Sequence, residues 1–253
     1  MKIALCQIDI RWMSPAENLA RLEELFDSFE GVDLALLPEM FATGYAVDSG
    51  SVAEPEGGEV SGWMSRMAAR YDMAVVGSVA TLAKGKIHNR MYVALPDGQR
   101  LAYDKRHLFT FAGEDKHFSP GVERIVVEWR GAKIMPLVCY DLRFPLWSYL
   151  PGEVDVLLYC ASWAASRVRA WDALLPARAI ENSAYAVGVN RVGRDADGTV
   201  FNGHSTAWDY RGACLADAKE EDGVVFAELN IERLHNYRER FPAWRDADKF
   251  SLK

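Results

Sequence analysis

Ile134-Met135-Pro136-Leu137-Val138-Cys139-Tyr140-Asp141-Leu142-Arg143-Phe144-Pro145 is an apolar run that stops at a cysteine and turns polar at once. The pattern predicts a buried strand running to the edge of a sheet, with Cys139 where the chain turns into a new element. Ligands of open α/β sheets bind at such strand ends, so a thiol there is placed to attack a substrate. Taken alone, the stretch is more simply explained by a buried, inert cysteine. Other stretches must decide.

Immediately upstream, residues 122–129 and 132–138 read as paired strands turning at Arg130-Gly131. At the start of the chain, residues 2–9 read as a buried strand. Ser14-Pro15-Ala16-Glu17 then predicts a helix start, with a serine N-cap, a proline in the first turn and a glutamate closing a capping box. Leu19, Leu22, Leu25, Phe26 and Phe29 follow at helical spacing, and Gly31 is the expected stop. Asp33-Leu34-Ala35-Leu36-Leu37-Pro38-Glu39 is a second strand ending at a carboxylate. This β-α-β unit predicts a parallel pair with a right-handed crossover. Glu39 thereby ends a strand much as Cys139 does.

A helix is expected over 60–71 and a strand over 73–80. A hairpin of 87–95 and 100–108 turns at Pro96-Asp97-Gly98, with Lys105 near its end. Residues 109–121 form a long irregular segment containing Glu114, His117 and Phe118, of the kind that serves function inside a compact domain. Beyond Cys139 the expectation is a short helix over 142–150, a strand over 155–163, and a helix over 168–183 kinked or divided at Pro176. A strand over 184–190, a Gly- and Asp-rich loop over 191–199, a strand pair (203–208 and 213–216), a strand over 224–229, a helix over 231–238 and an aromatic, charged tail over 241–250 complete the chain. No linker divides the 253 residues, which are read as one domain in two halves. Both faces of the strands are apolar, so two sheets packed face to face between helices are expected.

Composition removes several functions. Net charge is −7 with no basic face or run, which argues against nucleic acid as partner. The longest apolar runs, such as 154–163, contain Asp155 and fall far short of a bilayer. The N-terminus opens as a strand rather than a signal peptide, so the cytoplasm is the expected location. Four dispersed cysteines and five histidines show no C-x-x-C or H-x-x-x-H spacing, and neither metal nor cofactor is expected.

Leu36-Leu37-Pro38-Glu39, Tyr103-Asp104-Lys105-Arg106-His107-Leu108 and Val138-Cys139-Tyr140-Asp141-Leu142-Arg143-Phe144, in this order and spacing, resemble the Glu–Lys–Cys pattern of the nitrilase superfamily of carbon–nitrogen hydrolases. The stretch continuing through Pro145-Leu146-Trp147, and Tyr237-Arg238-Glu239-Arg240-Phe241-Pro242-Ala243-Trp244, resemble its ω-amidase branch. The resemblance implies a four-layer αββα sandwich of two mixed sheets and subunits that pair as a homodimer or higher homo-oligomer. It also implies Cys139 as nucleophile, Glu39 as general base, Lys105 as cation at the oxyanion and Glu114 as a second, positioning glutamate. The substrates it implies are small dicarboxylic monoamides such as 2-oxoglutaramate and 2-oxosuccinamate. Pro176, and His204 where members often carry an acidic residue before serine, depart from the family pattern.

The chemistry agrees with that pattern. A thiolate attacks, and a thiol near its free pKa of roughly 8.5 needs a cation or base to activate it. Lys105 supplies positive charge and Glu39 can take the proton. Lys105 and the backbone N–H of Tyr140 are the candidate oxyanion donors. Arg143 or Arg191 could hold a substrate carboxylate, with bracing of the fold as the alternative for each. Phe118 and Trp163 are read as pocket walls, with ordinary core aromatics as the alternative. Competing functions are a carbon–nitrogen hydrolase for carbamoyl amines, other amides or nitriles, a catalytically silent binding member, and a Cys–His hydrolase using His107, His117 or His204.

Overall fold

A computed structural model describes residues 1–47, 52–248 and 250–252. Lys249, within the expected tail, lies outside the described residues. In chain order the elements are β1 (Lys2–Gln7), α1 (Pro15–Phe26), β2 (Leu34–Leu36), β3 (Glu54–Pro55), α2 (Glu59–Tyr71), β4 (Ala74–Ala83), β5 (Lys86–Ala94), β6 (Arg100–Asp104), β7 (Val127–Trp129), β8 (Ala132–Val138), α3 (Pro145–Ser148), β9 (Val156–Ala161), α4 (Val168–Asn182), β10 (Tyr185–Asn190), β11 (Val192–Arg194), β12 (Val200–Asn202), β13 (Thr206–Trp208), β14 (Cys214–Asp217), β15 (Gly223–Glu228) and α5 (Ile231–Arg240).

One sheet runs β15-β1-β2-β4-β5-β6, with β3 added beside β4; the other runs β14-β13-β10-β9-β8-β7. In each, parallel neighbours form the centre (β1-β2-β4 and β8-β9-β10) and antiparallel strands the flanks. Strand side chains alternate between faces. In the first sheet, Ile3, Leu5, Leu34, Leu36, Val76, Met91 and Val93 join one apolar cluster with Ile134, Val138, Leu158, Cys160, Val187 and Val189 of the second. Cys160 Sγ lies 3.8 Å from Met91 Sδ across that seam. The alternate residues Ala4, Cys6, Ala35, Leu37, Val75 and Tyr92 pack instead with Leu22 and Phe26 of α1 and Trp63, Met64 and Met67 of α2. On the second sheet, a Cβ at Gly188 would come within 2.7 Å of Trp171 and Leu175 of α4, so glycine there permits close helix–sheet packing. The layers are helix, sheet, sheet, helix.

Several local expectations change. Ser14 does precede α1, but no capping box forms. Its hydroxyl donates to Trp12 O, and Glu17 pairs outward with Arg11. Asn18 makes the tie instead, accepting from Arg11 N–H and donating to Arg11 O and Ala42 O. The helix stops at Phe26, so Gly31 (φ 61°) belongs to the following turn rather than the cap. α4 runs unbroken through Pro176, because Trp171, Leu175 and Ala179 on either side of it are fully buried and hold its axis. Residues 122–126 are not strand, and Val122 is 74 % exposed. The Gly- and Asp-rich loop folds into the β11–β12 hairpin. Residues 139–143 form a 3₁₀ turn before α3, replacing one continuous helix. Finally, β15 closes the edge of the first sheet beside β1, with Lys2 opposite Glu228, although it is encoded after the whole second sheet.

Candidate active site

The C-terminal ends of β2, β8 and β9 meet across the seam between the sheets. Leu37 N–H donates to Val76 O (2.8 Å) and Met40 N–H to Ser78 Oγ (3.0 Å), both on β4 of the first sheet. Between these ties Glu39 N–H reaches across to Ala161 O at 3.4 Å, while Ser162 Oγ donates to Glu39 O (3.2 Å). Glu39 is thereby fixed above the end of β9, one sheet held to the other.

Cys139 leaves β8 with φ 44°, a left-handed conformation uncommon outside glycine. Holding a cysteine there costs about 1–3 kcal/mol and occurs where the surroundings over-determine the turn. Asp141 is what determines it. This fully buried carboxylate accepts from Val138 N–H (3.0 Å), Tyr103 Oη (2.7 Å), His107 N–H (3.0 Å) and His107 Nδ1 (2.8 Å). Trp147 Nε1 donates to the same tyrosine oxygen (2.8 Å), and His107 stacks on Phe144 at 3.9 Å. Asp141 therefore joins the cysteine turn to the segment that carries Lys105.

Lys105 follows β6, its N–H held by Asn89 O at 2.9 Å. Its Nζ is 2.8 Å from Glu39 Oε1 and 3.1 and 2.9 Å from the two oxygens of Glu114. Glu114 begins a short 3₁₀ turn after Gly113 (φ 76°) and also accepts from Phe109 N–H (2.6 Å). Asn89 Nδ2 donates to both carboxylates, at 2.8 and 3.0 Å. Ser162 N–H donates to the other oxygen of Glu39 at 2.9 Å. Glu39, Glu114 and Asn89 are fully buried, Lys105 is 1 % and Cys139 8 % exposed, and of these Cys139 lines the adjoining cavity.

The electrostatics follow from this geometry. Burial works against the Lys105 ammonium, but Glu114 and then Glu39 outweigh it and hold its pKa well above the ordinary value. Burial likewise opposes the Glu114 carboxylate, and Lys105 with the Phe109 N–H reverses it and lowers the pKa. For Cys139, burial and then the charge of the adjacent Glu39 raise the pKa well above that of a free thiol, while Lys105 opposes them. The resting pair is thus a thiol beside a carboxylate. That arrangement can pass a proton from sulfur to Glu39 as the sulfur attacks a carbon.

Cys139 opens into a cavity of about 520 Å³ whose walls include Tyr140, Arg143, Trp163, Arg167, Tyr45 and Phe109. Two expected residues lie elsewhere. Phe118 packs with Met40, Val47 and Leu108 beside the site, because its N–H is drawn to Glu114 O and the ring turns into that apolar cluster. Arg191 is fully buried and spends its donors on Asp195, Asp9 and the carbonyls of Ile10, Val192 and Arg194, so it braces the fold. Among the described residues, no group of three or more potential metal ligands is assembled, and no helix is long and apolar enough to cross a membrane.

Sequence reading overlooked Asn89, Asp141, Tyr45 and Arg167. Asn89 did leave a trace: Ile87, Asn89, Met91 and Val93 alternate along β5, and a lone polar residue on an inward stripe needs partners.

A carbon–nitrogen hydrolase family model matches residues 2–239. The ω-amidase YafV of Yersinia enterocolitica is 46 % identical over 253 residues, spanning 100 % of this chain and 98 % of its own. The 2-oxoglutaramate amidase of Bacillus subtilis is 34 % identical, over 98 % and 97 % of the two chains. Among solved structures, XC1258 from Xanthomonas campestris, a CN-hydrolase superfamily protein with an arsenic adduct in its active site, superposes with a TM-score of 0.96 at 38 % identity, over 100 % and 99 % of the two chains. With a buried glutamate, lysine and cysteine gathered at one sheet edge and these full-length likenesses, the chain belongs to the carbon–nitrogen hydrolase family.

Proposed function

We propose that this enzyme is an ω-amidase: it hydrolyses the ω-amide of small dicarboxylic monoamides of the 2-oxoglutaramate and 2-oxosuccinamate type to the acid and ammonia. The observation that carries the reading is Cys139, lining a cavity that has Arg143 in its wall and backed by the buried Glu39–Lys105–Glu114 cluster. The relatives named for ω-amide and 2-oxoglutaramate hydrolysis, matched over essentially the whole chain, support the substrate class.

In this mechanism Cys139 Sγ attacks the amide carbon as its proton passes to Glu39. Negative charge developing on the carbonyl oxygen is met by Lys105 Nζ and the Tyr140 N–H. One such donor is typically worth about 3 kcal/mol. Glu39 returns the proton to the departing nitrogen, ammonia leaves and a thioester remains. Water, deprotonated by Glu39, attacks the thioester, and the acid and free thiol are restored. Glu114 and Asn89 keep Lys105 and Glu39 in register throughout. Arg143, lying 5.1 Å from the Trp163 ring, offers its edge donors to the substrate's free carboxylate. The reading also places the enzyme in the cytoplasm as a single-domain homodimer or higher homo-oligomer, a state that sedimentation measures.

Ammonia release from 2-oxoglutaramate, measured beside an N-carbamoyl amino acid and a simple nitrile, tests the class. The monoamide should be turned over fastest. Cys139→Ala should be folded and inactive, and enzyme quenched with a slow substrate should carry an acyl adduct on the Cys139 peptide. An adduct on Cys6, Cys160 or Cys214 would remove Cys139 as nucleophile.

A further inference from the structure

The cavity above Cys139 contains two arginines where a simple monoamide, with one free carboxylate, needs one. Arg143 Cζ lies 5.1 Å from the Trp163 ring, and Arg167 Cζ lies 5.1 Å from the Phe109 ring. Each guanidinium lies over an aromatic ring, and among the described residues neither spends a side-chain N–H on a hydrogen bond, so these donors are available. Among the described residues neither arginine has a carboxylate within ion-pair distance, whereas Arg191 nearby is fully engaged. The two acidic residues of the cavity wall each have a partner other than these arginines. Asp195 pairs with Arg191, and Asp197 accepts from Thr199 N–H at 2.9 Å.

Arg167 is also held in place. Its N–H donates to Ala164 O (2.9 Å), and its carbonyl accepts from Trp163 Nε1 (2.9 Å). One indole thus ties the backbone of Arg167 to the ring over which Arg143 lies. α4 starts at the next residue, Val168, with no acidic residue in its first turn, so the positive end of its dipole is not offset there.

We propose that Arg167 is a specificity-determining residue. It binds the 2-oxo oxygen and shares the adjacent carboxylate with Arg143, so the cavity selects ω-monoamides of 2-oxo acids over the matching α-amino acids. This rests on the ω-amidase reading. A 2-oxo acid presents coplanar acceptors that suit two guanidinium edges. An α-amino acid presents an ammonium in the same place, beside two cations that have no carboxylate partner among the described residues. The rival role for Arg167 is to steady the Phe109 segment through its stacked ring, and that role treats every substrate alike.

The test is steady-state ammonia release by wild type, Arg167→Gln and Arg167→Lys on 2-oxoglutaramate, L-glutamine and pentanamide. Arg167→Gln should lower the kcat/KM ratio of 2-oxoglutaramate to pentanamide roughly 10- to 100-fold, the scale of a lost charge-assisted pair. The loss should fall chiefly in KM, and the margin over L-glutamine should narrow. Arg167→Lys, which keeps the charge and loses the planar fork, should fall between, and it carries the test should the glutamine variant not fold. Equal losses on 2-oxoglutaramate and pentanamide would assign Arg167 to bracing and overturn the inference. Wild type that favours 2-oxoglutaramate, with an Arg167→Gln that favours it equally, would overturn the inference and leave the ω-amidase reading standing. Wild type that hydrolyses pentanamide as well as 2-oxoglutaramate would overturn the ω-amidase reading itself.

Discussion

Replacing Glu114 by glutamine removes a charge and leaves the shape nearly unchanged, so its effect can be worked from four contacts. The carboxylate accepts from Lys105 at both oxygens, from Asn89 at one and from Phe109 N–H at the other. A glutamine has a single acceptor oxygen. If that oxygen faces Phe109, the amide N–H₂ is set against the donors of Asn89 and Lys105. If it is turned round, the N–H₂ opposes the Phe109 N–H. Either way at least one buried donor loses its acceptor, and Lys105 loses the foremost of the charges that sustain its ammonium. An unsatisfied buried group costs about 1–3 kcal/mol, and a broken buried ion pair about 3–5 kcal/mol. Because Glu39 still pairs with Lys105, a net loss near 3 kcal/mol is expected. For a chain of this size that lowers Tm by roughly 6–12 °C. An oxyanion donor that is no longer held in place should reduce kcat/KM roughly a hundredfold. Calorimetry and ammonia release on the same preparation measure both. A variant with Tm within 1–2 °C of wild type (~0.5 kcal/mol) and activity within about threefold (~0.7 kcal/mol) would refute the claim that Glu114 holds the lysine.

The stability difference between wild type and Glu114→Gln should depend on pH with a defined sign. The pKa of Glu114 lies below the ordinary 4.5, so its contribution is complete above that value and is lost as pH falls through the folded-state pKa. A Tm difference that instead grew on acidification would contradict the pairing. Lys105→Met should abolish turnover, and because it leaves two buried carboxylates sharing Asn89 without a cation, it should cost about 3–5 kcal/mol in urea unfolding; a fully active variant would remove Lys105 from the oxyanion. With the Cys139 pKa raised, the thiolate absorbance of wild type minus Cys139→Ser near 240 nm should stay flat through neutral pH; a step below pH 7 would mean a preformed thiolate. Asp141→Asn should lower activity through misplacement of the Cys139 turn, at a cost of about 1–3 kcal/mol, since an amide cannot accept from all four donors; a wild-type kcat would remove that tie.

Much of this protein is written in local pattern. Continuous apolar runs locate the central strands, the Pro96-Asp97-Gly98 turn joins β5 to β6, and carboxylate and thiol stand where such runs end. Those features depend on neighbours in the chain, so the strands and the two strand-end groups are readable from it. Helix boundaries were readable only to within a turn, because caps are settled by tertiary partners: Asn18 displaces Ser14 at α1, and buried neighbours carry α4 through Pro176.

What the order of residues alone determined is which chemical groups the enzyme owns and which segments bury them. Only the tertiary structure decided which of those groups meet. It placed β15 beside β1, engaged Arg191 internally while leaving Arg143 and Arg167 at the cavity, turned Phe118 into an apolar cluster, and hung two glutamates on one asparagine and one lysine. The reason is physical. Periodicity is a property of adjacent residues, whereas hydrogen-bond and charge partners are chosen among side chains that folding brings together from distant parts of the chain.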